Sequence, residues 1–475
     1  MRAIACLLSG LLGMAPFAAA YEPDVFGTAR QVAERAAHDV GSDGIPCRSG
    51  LPPPEELTLE ETVERILCRD PQTRLAWASA KAQAAQVGIS RAAFLPRLDG
   101  SLDGSRSYSD VDYRDNPYLS GDGHRERRSA SLELSWVLFD FGRRSAALRN
   151  AQQLLLAANA SQDSTLQNAF VLAAQAYYDA LAAQSSLAAS RQVAEMAAQN
   201  FEAADAKYRG GAAALSDRLQ AQTALSQASL RQIRDEGSLR TALGVIALRM
   251  GLAPDTPLRL TSELDARPDT AFVRAVDELL AEARHEHPAL VAARARLEAA
   301  DARVEESRAA GRPSLALTAN LARSHNDQSP AFSGDTRASD RSIGLQLKIP
   351  LFEGFERTYL IRNALARREA SQAELADAEQ QVSLEVWNSY QSLSVESRSL
   401  LRTHELVEQS RQSLEVVQGR YRSGVGSMVE LLNALTAYAS AEEQHTQALG
   451  NWQVSRLKLA AGLGRLGFWA IDSRQ

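Results

Sequence analysis

Three short stretches carry residue types whose spacing could do chemistry. Gly462 to Gly467 reads GLGRLG and has the spacing of a dinucleotide-binding loop. Such a loop needs a strand before it, a helix after it and an acidic residue about twenty positions on. Here a helical pattern precedes it and the chain ends at Gln475. His285 to Pro288 reads HEHP, which is not the HExxH of a zinc protease. Histidines two apart point to nearly opposite sides of a helix, and Pro288 marks a break, so the stretch reads as a solvated helix end. Cys47 and Cys68 complete the set; an oxidising compartment permits a disulfide between them, and the alternative is two unpaired small apolar side chains. No nucleophile–base pair follows from spacing. The expectation is a protein with no enzymatic activity, no metal and no cofactor.

The elements around these residues are more informative. Arg2, the apolar run from Ala3 to Met14 and the small residues Ala18-Ala19-Ala20 have the form of a removable export signal over residues 1–20. The apolar run before Cys6 is too short for a lipoprotein signal. No later segment is apolar enough for a membrane helix, which leaves a periplasmic, secreted or β-type membrane protein. A net charge of −6 argues against a nucleic-acid partner.

The chain is an internal duplication. Asp70-Pro71 corresponds to His287-Pro288 at an offset of 217, and Ser120-Gly121-Asp122 to Ser333-Gly334-Asp335 at an offset of 213. The second offset then holds through Leu138/Leu351, Tyr208-Arg209/Tyr421-Arg422 and Gly251/Gly464. This predicts an N-terminal extension over 21–57, a first repeat over 58–252, a linker over 253–272, a second repeat over 273–467 and a tail over 468–475. Each repeat reads as a helix, a β-hairpin (97–139 and 314–351), a long helix and a return helix. Alanine-rich stretches without proline, from Gly142 to Gly210 and from Gly354 to Gly419, would each form a helix roughly 100 Å long.

The hairpins alternate with period two. Leu132, Leu134, Trp136 and Leu138 stand against Ser131, Glu133 and Ser135, and Ile343, Leu345, Leu347 and Ile349 against Gly344, Gln346 and Lys348. Runs of about nine to eleven residues suit tilted membrane strands, apolar towards lipid and polar towards a lumen. Polar loops are expected over 109–128 and 323–341. Four strands cannot close a barrel, and an open sheet edge cannot sit in hydrocarbon. The chain must therefore oligomerise, and three copies supply twelve strands around a channel.

The repeated LFDFG (Leu138 to Gly142) and LFEG (Leu351 to Gly354), the glycine turns after Tyr208 and Tyr421, and the duplicated order resemble the TolC family of outer-membrane channels. The resemblance implies a membrane α+β fold: a homotrimeric, twelve-stranded β-barrel continued by a twelve-helix periplasmic α-barrel, with a belt holding chain ends and linker. Leu138, Gly142, Leu351 and Gly354 would be the strand-to-helix joints. Gly210, Gly211 and Gly424 would lie in the tips that dock a periplasmic adaptor tied to an inner-membrane ABC transporter or other pump. Glu430 and Asn433 would line the entrance constriction, and Asp217 and Tyr421 would take part in its closing links. The family's arginine after the second glycine turn is replaced here by Gly426. The extension over 21–57 is similar to the branch that exports adenylate cyclase toxins through type I secretion. The alternatives are the channel of a multidrug efflux pump and, from another class, a periplasmic coiled-coil adaptor or scaffold.

Overall fold

The computed structural model describes residues 24–37, 47, 56–112, 114–115, 121–261, 276–328, 336–464 and 466. The expected signal segment and C-terminal tail lie outside the described residues, as does the linker beyond residue 261. The order is α1 (Leu59–Arg69), α2 (Pro71–Ala92), β1 (Arg97–Val111), β2 (Gly121–Phe139), α3 (Arg143–Arg209) and α4 (Leu215–Arg249). It then repeats as α5 (Val276–Glu286), α6 (Pro288–Ala309), β3 (Ser314–Gln328), β4 (Thr336–Lys348), α7 (Glu356–Arg422) and α8 (Met428–Gly462). Corresponding helices have equal lengths: 11, 22, 67 and 35 residues in each copy.

Helix starts follow from local chemistry. Thr58 caps α1 by accepting from the Glu61 N–H at 3.2 Å. Pro71 and Pro288 open α2 and α6, where a missing N–H is harmless. Asp70 accepts the Thr73 N–H at 2.9 Å, and the corresponding His287 accepts the Ala289 N–H through Nδ1 at 3.2 Å. His287 is buried while His285 is exposed, which corrects the reading of HEHP as a solvated helix end. Its ring serves as a cap acceptor inside the fold.

The chain divides into two compact units, each drawing segments from both repeats. One holds the four-stranded antiparallel sheet, in the order β1-β2-β3-β4, with the helix ends that join it. The strands have 15, 19, 15 and 13 residues, longer than the nine to eleven expected. The expected polar loops are largely strand, because the ladder continues through Arg106↔Glu126 and His325↔Arg337. Backbone pairing needs no apolar side chains, so alternation marks only the part of a strand that meets lipid. At the other end β4 stops at Lys348, leaving Leu351 beyond the ladder.

The second unit is helical. One cluster packs Leu166, Phe170, Tyr177 and Leu181 of α3 against Ile246 of α4 and Leu457 of α8. Leu57 of the extension and Leu260 of the linker enter the same cluster and form a short parallel bridge. Leu57 donates its N–H to the Arg259 carbonyl at 2.8 Å and accepts from the Thr261 N–H at 3.0 Å. A disulfide joins Cys47 to Cys68 of α1, with Cα atoms 5.7 Å apart. A second cluster packs Val193, Ala197 and Ala204 against Leu414, Leu431 and Tyr438. Alanine at these contacts lets helix backbones approach closely at high helix propensity.

Candidate functional site: sheet face, joints and helix turns

Period-two alternation and the observed register align the apolar residues in rows across the sheet. Leu98 pairs Leu134, which pairs Ala319, which pairs Ile343; Trp136, Leu317 and Leu345 form a neighbouring row. Leu102 and Ile343 are 79% and 77% exposed, so this face is largely uncovered among the described residues, where Trp136 Nε1 donates to the Phe94 carbonyl at 2.9 Å. The reverse face carries the row Asp99, Glu133, Asn320 and Ser342. A contiguous exposed apolar face backed by a polar one is the arrangement of a lipid-facing barrel wall. Among the described residues no helix is long and apolar enough to cross a membrane.

The joints show why LFDFG and LFEG recur. Asp140 accepts the Arg144 N–H at 3.0 Å and the Gly142 N–H at 3.3 Å, and its carboxylate meets Arg144 Nε at 2.8 Å. Arg144 also reaches the Ala93 carbonyl at 3.3 Å and lies over the Phe94 ring. In the second copy Glu353 pairs with Arg357 at 2.8 Å. These four charged residues were not singled out from the sequence, although LFDFGRR and LFEGFER place an acid and an arginine four apart in both copies. Gly142 and Gly354 have φ of 94° and 58°, and their neighbours Phe141 and Phe355 are also left-handed, at 52° and 67°. A phenylalanine in that region is strained by about 1–2 kcal/mol, so the joint is held by its contacts. The β2–β3 register shifts between Val137 and Phe139, so Phe139 pairs with Leu315. Leu138 therefore does not continue the regular alternation, a correction to its expected place on the outer face.

The two helix turns lie beside one another in the helical unit. Gly211 and Gly424 have φ of 72° and 83°, and the Ala212 and Val425 N–H groups close the preceding helices on the Lys207 and Arg420 carbonyls. A Cβ at Gly426 would stand 3.0 Å from the Tyr421 nitrogen, so the backbone itself occupies the space a side chain there would need. Lys207 donates to the Tyr421 carbonyl at 2.8 Å and sits 4.0 Å from the centroid of its ring. Tyr421 is buried, and its hydroxyl oxygen is buried without a hydrogen-bond partner among the described residues. Burial, followed by the charge of Asp217, raises its pKa. Asp217 and Tyr421 are thus close in one chain, while Arg218 turns to Asp205 at 2.7 Å. Glu430 follows the Ser427 cap and faces Arg420 at 3.7 Å; Asn433 is exposed one turn on. Lys207, Arg420, Asp205 and Arg218 were missed from the sequence; the 213-residue offset, which relates Lys207 to Arg420 and Asp217 to Glu430, was the available signal.

Among the described residues no cluster of His, Cys, Asp and Glu could hold a metal. GLGRLG closes a helix: Gly462 ends α8, and the Gly464 carbonyl accepts from Gln167 at 2.8 Å.

A sheet with one lipid-facing side, joined at both hairpins to helices of 67 residues, defines an outer-membrane channel protein. The chain belongs to the outer membrane efflux protein family, whose profile matches residues 62–251 and 279–465. It is 34% identical to Protein CyaE of Bordetella pertussis over 89% of this chain and 88% of that protein. It is 27% identical to the alkaline protease secretion protein AprF of Pseudomonas aeruginosa over 83% of this chain and 82% of that protein. The outer membrane protein VceC of Vibrio cholerae superposes with a TM-score of 0.68 at 22% identity, covering 86% of this chain and 96% of VceC. The expected fold, with its duplication and four strands in one chain, is the fold of this family. Membership in an outer-membrane family also removes the periplasmic adaptor or scaffold reading.

Proposed function

We propose that this chain is the outer-membrane exit duct of a type I secretion system, exporting a protein of the adenylate cyclase toxin type directly to the outside. The observation that carries the duct is the sheet itself. Its apolar face is exposed and its edge strands β1 and β4 are unpaired among the described residues. Unpaired edges cannot remain in hydrocarbon, so copies of the chain pair β4 to β1. Three copies make a twelve-stranded barrel with the Asp99–Glu133–Asn320 face towards water. The paired helices continue as a periplasmic tube, whose tips at Gly210, Gly211 and Gly424 receive an adaptor bound to an inner-membrane ABC transporter. Glu430 and Asn433 narrow the entrance, Asp217 and Tyr421 take part in holding it closed, and the duct itself does no covalent chemistry.

Identity to CyaE and to a protein named for protease secretion supports protein cargo. The family's name keeps a second reading, the channel of a multidrug efflux pump. Deleting the gene tests both: type I secretion expects the cargo protein to stay with the cells at unchanged drug sensitivity. Drug sensitisation with normal protein export would identify the pump channel. A purified product that does not conduct in planar bilayers would overturn the duct.

A further inference from the structure

The lipid-facing side of the sheet changes chemistry abruptly along its length. Residues sharing a face with Leu132 and Leu321 alternate with period two, and towards the hairpin loops that face becomes basic. Arg341 pairs with Leu321 at the border; beyond it stand Arg323, Arg128, Arg337 and Arg106. Glu126, Asp327 and, nearer the hairpin loop, Asp110 are acids on the same face among the described residues. Glu126 meets Arg128 at 3.2 Å and Arg106 at 3.9 Å. Arg323 and Arg341 are exposed and have no ion pair among the described residues. They are diagonal neighbours across β3 and β4, a relationship that sets residues about 7–8 Å apart.

The position of this row matches a membrane boundary. From Arg341 to Lys348, where β4 ends, the strand covers about 23 Å at about 3.3 Å per residue, or about 18 Å in height at a tilt near 40°. The exposed Ile349, Leu351 and Phe352 continue the apolar surface past the ladder towards the roughly 25 Å of a barrel's apolar band. The far border carries the exposed Phe352 and Phe355, in edge contact with each other. Guanidinium groups at the headgroup level, pointing outwards, meet lipid headgroups rather than cargo. Two unpaired arginines this close repel until an anion lies between them, and the fork geometry of arginine matches phosphate oxygens.

We propose that Arg323 and Arg341, with Arg128 beside them, bind the phosphate groups of a phosphorylated glycolipid of the outer leaflet, fixing the depth of the barrel. The choice of leaflet rests on the helices being periplasmic; the binding itself does not.

The test uses the purified full-length protein in phosphatidylcholine nanodiscs doped with bisphosphorylated lipid A, with retained lipid counted by native mass spectrometry. Retention is expected to fall about tenfold in R323Q/R341Q, to stay unchanged in R127Q on the opposite face, and to vanish for dephosphorylated lipid A. Equal loss in R127Q, or equal retention of the dephosphorylated lipid, would overturn the proposal. Equal retention of phosphatidylglycerol would replace it with a general anionic-lipid surface, and competition by inorganic pyrophosphate at equal phosphate concentration would replace it with a free-anion site. Single-channel conductance checks the barrel in each variant, and the single substitutions R323Q and R341Q, each expected to lose part of the retention, serve where the double variant does not conduct. Conducting variants with unchanged retention refute the lipid site and leave the duct standing.

Discussion

Lys207, near the end of the first long helix, donates to the backbone carbonyl of Tyr421, near the end of the second, and lies over the same tyrosine's ring. One side chain thereby ties the two glycine turns together. A charged donor to a part-buried carbonyl contributes about 1.5–3 kcal/mol, and the ring adds about 0.5–1 kcal/mol. Lys207→Met should lower stability by about 2 kcal/mol and raise channel conductance by loosening the turn, whereas Lys207→Arg should keep most of both. Melting curves with bilayer recordings check this; a wild-type profile for Lys207→Met would show that the contact holds nothing.

Glu430 is half exposed and faces Arg420 of its own chain at 3.7 Å. In the proposed duct a ring of such carboxylates at the entrance would favour cations, and the arginine beside each one would offset part of that field. Glu430→Ala should therefore reduce the cation-to-anion permeability ratio and Arg420→Ala should increase it, each by about twofold. Reversal potentials in a salt gradient measure both, and unchanged potentials in the two variants would remove Glu430 from the pore.

At the first joint the Asp140–Arg144 pair is largely buried, with side chains 12% and 14% exposed, whereas Glu353 and Arg357 are 41% and 33% exposed. Asp140 also accepts two backbone N–H groups. Asp140→Ala should cost about 2 kcal/mol through the lost cap and the stranded arginine. Glu353→Ala should cost less than about 1 kcal/mol. Equal destabilisation in thermal denaturation would contradict this ranking.

The disulfide closes a loop with a sequence separation of 21 and fastens the N-terminal segment beside Leu57 and Leu260. Cys68→Ser should destabilise the protein by about 3 kcal/mol. Limited proteolysis should cut the N-terminal segment earlier in this variant, and reductant should reproduce the effect in the wild type but add nothing to the variant.

Burial holds the His287 imidazole below its ordinary titration range, and its neutral Nδ1 must stay unprotonated to accept the Ala289 N–H. Because the folded pKa is depressed, the unfolded chain binds the proton first. The contribution to stability is complete above about pH 6.5 and is lost as the pH falls below that value towards the folded pKa. His287→Asn, which keeps an acceptor, should flatten the fall in melting temperature between pH 7 and pH 5.

The sequence by itself determined the duplication, the order of helices and hairpins, the apolar and polar faces of the strands and the family. These properties are periodic or local: period two sorts strand faces, an uninterrupted alanine-rich run extends a helix, and Leu-Phe-acid-Gly marks each joint. Only the tertiary structure decided how far the strands run, because backbone pairing continues through Arg106 and His325 where alternation of apolar residues has ended. The register shift at Val137/Phe139 and the left-handed Phe141 and Phe355 belong to the same class. They are set by neighbouring elements rather than by any propensity of phenylalanine. The polar pairs lay furthest from view. Lys207 and Tyr421 are 214 residues apart, and which of several charges at a turn meets which acceptor depends on how the helices pack. The duplication placed Lys207 opposite Arg420 and Asp217 opposite Glu430 in sequence, but packing buried Tyr421 and left Tyr208 38% exposed, so equivalent residues in the two copies came to hold different partners.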